Sequence, residues 1–214
     1  MAGQMLPTDD AAELLQSGGV LIMGTDTLPG FHCRADLPEA VARVLALKGR
    51  QPEKSLLVLA GSRDQVSLVT GNLDARQAEC CGRCWPGPFS LILPAGGKLS
   101  PNVNDAGDTV AVRVPALDSL RSLILAAGFP LVSTSVNVSG EPPLGDLATA
   151  RAVFGGRIDG LWAPAEQPGA AAGDGPVRPS ALIDLTRWPP VQLRPGPLPF
   201  PAGPGGLDGD SGGI

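Results

Sequence analysis

Apolar residues recur along the chain in short blocks separated by Gly, Pro and polar turns, and the spacing inside each block selects helix or strand. Ala11, Ala12, Leu14 and Leu15 lie at helical spacing behind Thr8, which can cap a helix, and Gly18 and Gly19 stop it. Val20 to Met23 is a continuous apolar run of strand length. Asp36-Leu37-Pro38-Glu39 places a cap residue, an early proline and an acidic residue ahead of Val41, Val44 and Leu45, which predicts a helix to about Leu47. Leu56 to Ala60 reads as a strand, Ser62 to Val69 as a short helix and Leu73 to Arg83 as a more polar helix. Phe89 to Leu93, Val110 to Val114 and Leu131 to Thr134 read as strands, with an apolar-faced helix over Leu117 to Ala127 that Gly128 ends. Two more strands, Ala181 to Leu185 and Val191 to Leu193, flank a Trp188-Pro189-Pro190 turn. Strands mixed with helices predict an α/β domain, a twisted mixed sheet with flanking helices. No internal repeat is visible. Pro164 to Gly175 reads as a flexible loop, and residues 197–214, rich in Gly and Pro with few large apolar residues, read as a disordered tail behind a single domain over 1–196.

Composition narrows the function classes. A chain of 214 residues fits one domain. Aromatics make up 4% with no Tyr, so the core is aliphatic and stacking platforms for single-stranded nucleic acid are scarce. The net charge of −5 repels phosphate backbones, which argues against direct tRNA binding. No apolar run reaches the ~18 residues of a membrane span, and Met1 to Asp10 lacks the pattern of a signal peptide, so a soluble cytoplasmic protein is expected. Cys80, Cys81 and Cys84 crowd one predicted helix, where bridging geometry is poor, and reduced thiols suit that address.

Several motifs resolve to chance or packing. Gly209-Asp210-Ser211-Gly212-Gly213 reproduces the string around a serine-protease nucleophile, but one residue follows it and nothing remains to build a triad and oxyanion hole. Cys81-x-x-Cys84 sits late in its helix, away from the dipole end that would activate a thiol, and lacks enough partners for zinc. Neither a phosphate-binding P-loop nor a G-x-G-x-x-G turn is present.

Four features point to anion chemistry. Arg43, Lys48, Arg50 and Lys54 fall within twelve positions of an acidic chain. Complementation of a helix C-terminus accounts for Lys48 and Arg50 but not for Lys54, beyond Pro52, and a polyphosphate clamp is the competing reading. Ser133-Thr134-Ser135-Val136-Asn137-Val138-Ser139-Gly140 runs past the end of a buried strand, where α/β proteins bind ligands; hydroxyls satisfied within a turn are the alternative. Thr25-Asp26-Thr27 follows the first strand with the same logic. Arg113 stands in the apolar run Val110 to Pro115, and a cation there must meet an anion, either a substrate carboxylate or an internal Asp or Glu.

In order, Thr25-Asp26-Thr27 with Gly30, Leu47-Lys48-Gly49-Arg50 with Lys54, Trp85-Pro86-Gly87-Pro88, Val112-Arg113-Val114-Pro115, the Ser133 to Gly140 stretch, Pro179 to Leu185 and Leu193-Arg194-Pro195-Gly196 resemble the YrdC-like threonylcarbamoyl-AMP synthases over about residues 10 to 196. The resemblance implies an ATP-dependent nucleotidyltransferase. It would join L-threonine with bicarbonate or CO2, transfer AMP to the product with release of pyrophosphate, and serve a downstream transferase that modifies adenosine 37 of tRNA. By position it implies that Lys48, Arg50 and Lys54 hold the ATP phosphates, with Lys48 and Arg50 in the catalytic roles, Arg194 and Asn137 adding contacts and Thr109 nearby. Thr27, Arg113, Ser135 and Ser180 would hold threonine. Mg²⁺ would come with the ATP, since no protein cage of carboxylates is visible and no residue is assigned to metal. Two positions depart from the family pattern: Leu28-Pro29 precedes Gly30 where an aromatic is common, and Leu59 stands where many members carry His. The alternatives are a non-catalytic nucleotide- or RNA-binding module of the same fold, and related carbamoyl-adenylate chemistry on another substrate.

Overall fold

The computed structural model describes residues 3–49, 56–104, 107–166 and 178–201. Helices α1 (Thr8–Gln16), α2 (Pro38–Lys48), α3 (Arg63–Val66), α4 (Ala75–Cys84), α5 (Asp118–Ala126) and α6 (Leu147–Phe154) alternate with strands β1 (Leu21–Met23), β2 (Gly30–Arg34), β3 (Leu57–Leu59), β4 (Phe89–Pro94), β5 (Thr109–Arg113), β6 (Leu131–Ser135), β7 (Gly160–Trp162), β8 (Ala181–Asp184) and β9 (Val191–Arg194). All nine strands join one sheet in the order β7-β1-β2-β6-β3-β5-β4-β8-β9. The β1–β7, β3–β5 and β4–β8 pairs are parallel and the others antiparallel.

Side-chain alternation divides the sheet into two unequal faces. On one, Ile22, Phe31, Cys33, Val58, Leu91, Val112 and Val132 pack against α2, α4 and α6 in the larger core. On the other, Leu21, Met23, Leu59, Leu131 and Trp162 meet α1 and α5 in a second core. The second core reaches Leu59 of β3, and the cavity described below opens on the same face, lined by residues from β2 through β9 of the sheet order. A sheet covered fully on one side and half on the other thus buries its hydrophobic strands while leaving a floor for ligand.

Local chemistry explains most element ends. Gly49 closes α2 in the left-handed region at φ 56°, a conformation that glycine takes without strain. Asp74 and Gln77 form a capping box on α4, and Ser62 caps α3. Two expected caps are corrected. Thr8 lies inside α1, whose cap position is Pro7, and its hydroxyl accepts from Trp162 Nε1 at 3.2 Å. The residue before α2 is Leu37 rather than Asp36, whose carboxylate is taken by Arg34 at 2.6 Å. Strand β2, helix α6 and strand β7 are additional to the elements expected from periodicity. The last part of the Pro164 to Gly175 loop, most of the 197–214 tail and the protease-like string lie outside the described residues. Among the described residues, no helix is long and apolar enough to cross a membrane.

The cysteines fit packing rather than chemistry. Cys33, Cys80, Cys81 and Cys84 are all free and buried. Burial pushes the Cys81 and Cys84 thiols up to about 12, and also the Cys33 thiol to about 12. Native protein at pH 8 should therefore resist alkylation by iodoacetamide and release four reactive thiols only on denaturation. Rapid modification of Cys81 or Cys84 in the folded state would overturn this assignment.

Candidate active site

On the open half of the second face, the C-terminal end of α2, the start of β2, the end of β6 and the ends of β5, β8 and β9 surround a cavity of about 590 Å³. That lies within the ~300 to 1,000 Å³ of small-molecule sites. Thr27, Lys48, Arg113, Ser135, Asn137, Ser180 and Arg194 all line it, gathered from six segments of the chain. Three of these are cations, and among the described lining residues there is no Asp or Glu. Such a wall attracts anions, and the carboxylate that meets it, Asp26 on Arg113, sits outside the lining.

Each cation is positioned differently. The ammonium of Lys48, 4% exposed, donates to the Ser135 carbonyl at 2.8 Å and to Asn137 Oδ1. The Ser135 hydroxyl donates to the same Asn137 oxygen at 2.7 Å, and Asn137 Nδ2 donates to the carbonyls of Val138 and Glu141. The Ser139 amide donates to the Lys48 carbonyl at 2.8 Å, so the hydroxyl-rich loop after β6 is tied to the end of α2. This network serves both competing readings of the loop: its side chains satisfy local backbone and also edge the cavity.

Arg113 is almost wholly buried. Its Nη1 donates to Asp26 Oδ1 at 2.9 Å, while Asp26 Oδ2 accepts from the Ala116 amide at 3.0 Å. The internal carboxylate is therefore present, yet the pairing uses only one nitrogen, and the buried Nε has no hydrogen-bond partner. Arg194 donates from Nε to the Ser180 carbonyl at 3.1 Å. Burial, and secondarily the charge of Arg113, holds its guanidinium below the ordinary arginine range. An arriving anion would relieve both costs.

The hydroxyls are ordered by one another. Thr25 Oγ1 accepts from the Thr27 amide at 3.0 Å, lies 3.1 Å from Thr27 Oγ1 and donates to the Leu28 carbonyl. Ser180 Oγ lies 2.7 Å from Ser90 Oγ. Ser133, the first residue of the hydroxyl-rich stretch, lines the cavity, and so does Ser90, which belongs to no motif; its signal is a single hydroxyl in an otherwise apolar strand. Of the remaining sequence candidates, Thr109 shares the strand face of Ala111 and Arg113 but stays outside the lining, opposite Pro94. Arg43 turns away to pair with Asp159 at 2.8 Å, which removes it from the basic cluster. Arg50 and Lys54 lie outside the described residues.

The chain is similar to known proteins over most of its length. The Sua5/YciO/YrdC family model, described as "Telomere recombination", covers residues 13–196. A threonylcarbamoyl-AMP synthase of Chromohalobacter salexigens is 38% identical over 176 residues, covering 82% of this chain and 91% of the relative. One from Pyrococcus abyssi is 33% identical over 191 residues, which is 89% of this chain but 54% of that longer protein. The crystal structure of P. abyssi Sua5 complexed with L-threonine superposes with a TM-score of 0.79 at 28% identity, over 91% of this chain and 57% of that one. Escherichia coli YciO shares the fold, with a TM-score of 0.76 at 21% identity over 91% of this chain and 96% of that one. With a family match over nearly the whole described domain and a relative this similar end to end, the chain belongs to the Sua5/YciO/YrdC family.

Proposed function

We propose that the protein is a threonylcarbamoyl-AMP synthase: it condenses L-threonine with bicarbonate or CO2, and the resulting carbamate attacks the α-phosphate of ATP, releasing pyrophosphate. The observation that carries this reading is the wall of Lys48, Arg113 and Arg194, interleaved with hydroxyls and lacking a carboxylate among its described residues. Both substrates are anionic where they would be gripped. The reaction needs its reactants aligned and phosphate charge neutralised, with no covalent nucleophile, and the buried protonated thiols offer none.

In this reading Lys48, Arg50 and Lys54 hold the triphosphate, helped by Asn137 and Arg194, with Lys48 and Arg50 at the reacting phosphates. Thr27, Arg113, Ser135 and Ser180 hold threonine, Arg113 taking its carboxylate. The described lining offers a metal only neutral oxygens, from Ser135, Ser139 and Asn137 among others, so Mg²⁺ would be carried by the nucleotide's own phosphates and water. The product is a reactive mixed anhydride, to be consumed by a transferase acting on tRNA adenosine 37 in the cytoplasm.

Incubation with ATP, Mg²⁺, bicarbonate and one amino acid at a time should release pyrophosphate, fastest with threonine. Release that is absent or indifferent to the amino acid would sink the proposal. Within it, Arg50→Ala removes a charge-assisted phosphate contact and should weaken ATP binding about ten- to a hundredfold without altering the melting temperature. Unchanged ATP affinity would return Arg50 to the role of a helix-end charge.

A further inference from the structure

The chain has a single histidine, and nothing in the reaction above uses it. His32 is completely buried in β2, directly across from Ser133 of β6, and its Nε2 lies 3.0 Å from Ser133 Oγ. Its Nδ1 makes no hydrogen bond. The ring leans over Gly30, where an added Cβ would stand 2.8 Å from His32 Cε1 and 3.0 Å from the Thr134 carbonyl. Gly30 and Ser133 both line the cavity, whereas His32 lies behind them.

Physical cost makes this placement informative. An imidazole sealed in a sheet with one nitrogen unpartnered is unfavourable by comparison with an aliphatic side chain of similar size, so packing alone does not call for it. Its one side-chain hydrogen-bond partner is a hydroxyl at the cavity wall. In either neutral tautomer that bond fixes the Ser133 rotor: the ring takes one position around Oγ, and what remains of the hydroxyl's bonding capacity is aimed elsewhere. The ring is kept neutral by burial, with the neighbouring Arg113 charge adding to the effect and the Gly30 backbone opposing it in part. Across β3, Ser133 faces Leu57, whose other neighbour Ala111 stands two residues before Arg113 on the same strand face, so the pair lies beside the arginine assigned above to the amino acid.

We propose that His32 is a positioning residue that holds the Ser133 hydroxyl in the orientation that contacts the amino-acid substrate. The inference rests on the synthase reading, and its test separates the two. Parent protein must first show threonine-dependent pyrophosphate release; failure there removes the synthase reading itself. Given that activity, His32→Leu should raise the threonine KM by roughly tenfold, the size of one hydrogen bond, with the ATP KM within about twofold. His32→Gln, whose amide can donate or accept near the position of Nε2, should recover most of that loss. Ser133→Ala should match His32→Leu, and the double variant should be no worse than either, because both remove the same contact. Parallel rises in both KM values, absence of rescue by Gln, or multiplicative losses in the double variant would each overturn the proposal. Should His32→Leu fail to fold, His32→Gln against Ser133→Ala decides it alone: near-parental threonine KM in the first and a tenfold rise in the second support the role, and any other pattern rejects it.

Discussion

Arg113→Lys should raise the threonine requirement ten- to a hundredfold, leave ATP affinity within about threefold and lower the melting temperature. The guanidinium faces two ways: one nitrogen is spent on Asp26, and the buried Nε is unpartnered beside the cavity. A lysine ammonium can keep the internal ion pair or reach a substrate carboxylate, but its point charge cannot span both with fixed geometry. Asp26→Ala probes the other side. Removing one member of a buried pair typically costs about 3 to 5 kcal/mol, because the remaining charge is uncompensated. If the cavity is where threonine's carboxylate binds, saturating threonine should restore part of that stability in Asp26→Ala, since ligand supplies the missing anion. Chemical denaturation with and without threonine, combined with both affinities for Arg113→Lys, checks the assignment. Equal losses for the two substrates, with no ligand rescue, would make Arg113 an internal structural cation only.

That double role shows where the sequence is legible. A cation inside Val110-Ala111-Val112-Arg113-Val114 announces that an anion must be near, but the chain alone leaves open whether it is internal or bound. Asp26 supplies the internal partner from a loop 87 residues away in sequence, a distance no local pattern spans. Wholly apolar strands, such as Leu21–Met23 and Leu57–Leu59, were readable because apolar runs bounded by turn residues have few other solutions. Strand β2 was not. Its Gly30, His32 and Arg34 all fall on one face, and ionisable residues in a central strand contradict the usual pattern until their partners are known. Helix α6 depends on Asp146 as its cap and buries only Ala150 and Phe154, so its periodic signal is weak.

The basic cluster teaches the complementary lesson. Spacing grouped Arg43 with Lys48, but one helix presents them to different surroundings: Arg43 meets Asp159 at the exposed surface and Lys48 meets Ser135 and Asn137 in the interior. Charge density along a sequence identifies a candidate clamp; only the helix phase and the loop packed against it decide which members belong. Ser90 was hidden for a related reason. A hydroxyl in a strand is unremarkable until the sheet places it on a face that no helix covers.

The burial of His32 yields the other large effect, and it can be measured without substrate. Sealing the ring lowers its pKa from 6.5 to about 3, chiefly by desolvation. The unfolded chain therefore takes up a proton below pH 6.5 that the native state refuses until about pH 3, so stability contributed by the neutral ring is complete above that range and lost as pH falls through it. The loss is about 1.4 kcal/mol per pH unit, or roughly 3 kcal/mol between pH 6.5 and 4. His32→Gln has no such group. Carboxylates also titrate over this interval, but they are common to both proteins and cancel in the difference. Urea unfolding of parent and His32→Gln at a series of pH values should show the stability difference between them shifting steadily in favour of the variant as the solution is acidified. Parallel curves would mean that the ring takes up protons in the folded state as readily as in the unfolded one, and a histidine that protonates so freely could not hold Ser133 through a neutral hydrogen bond.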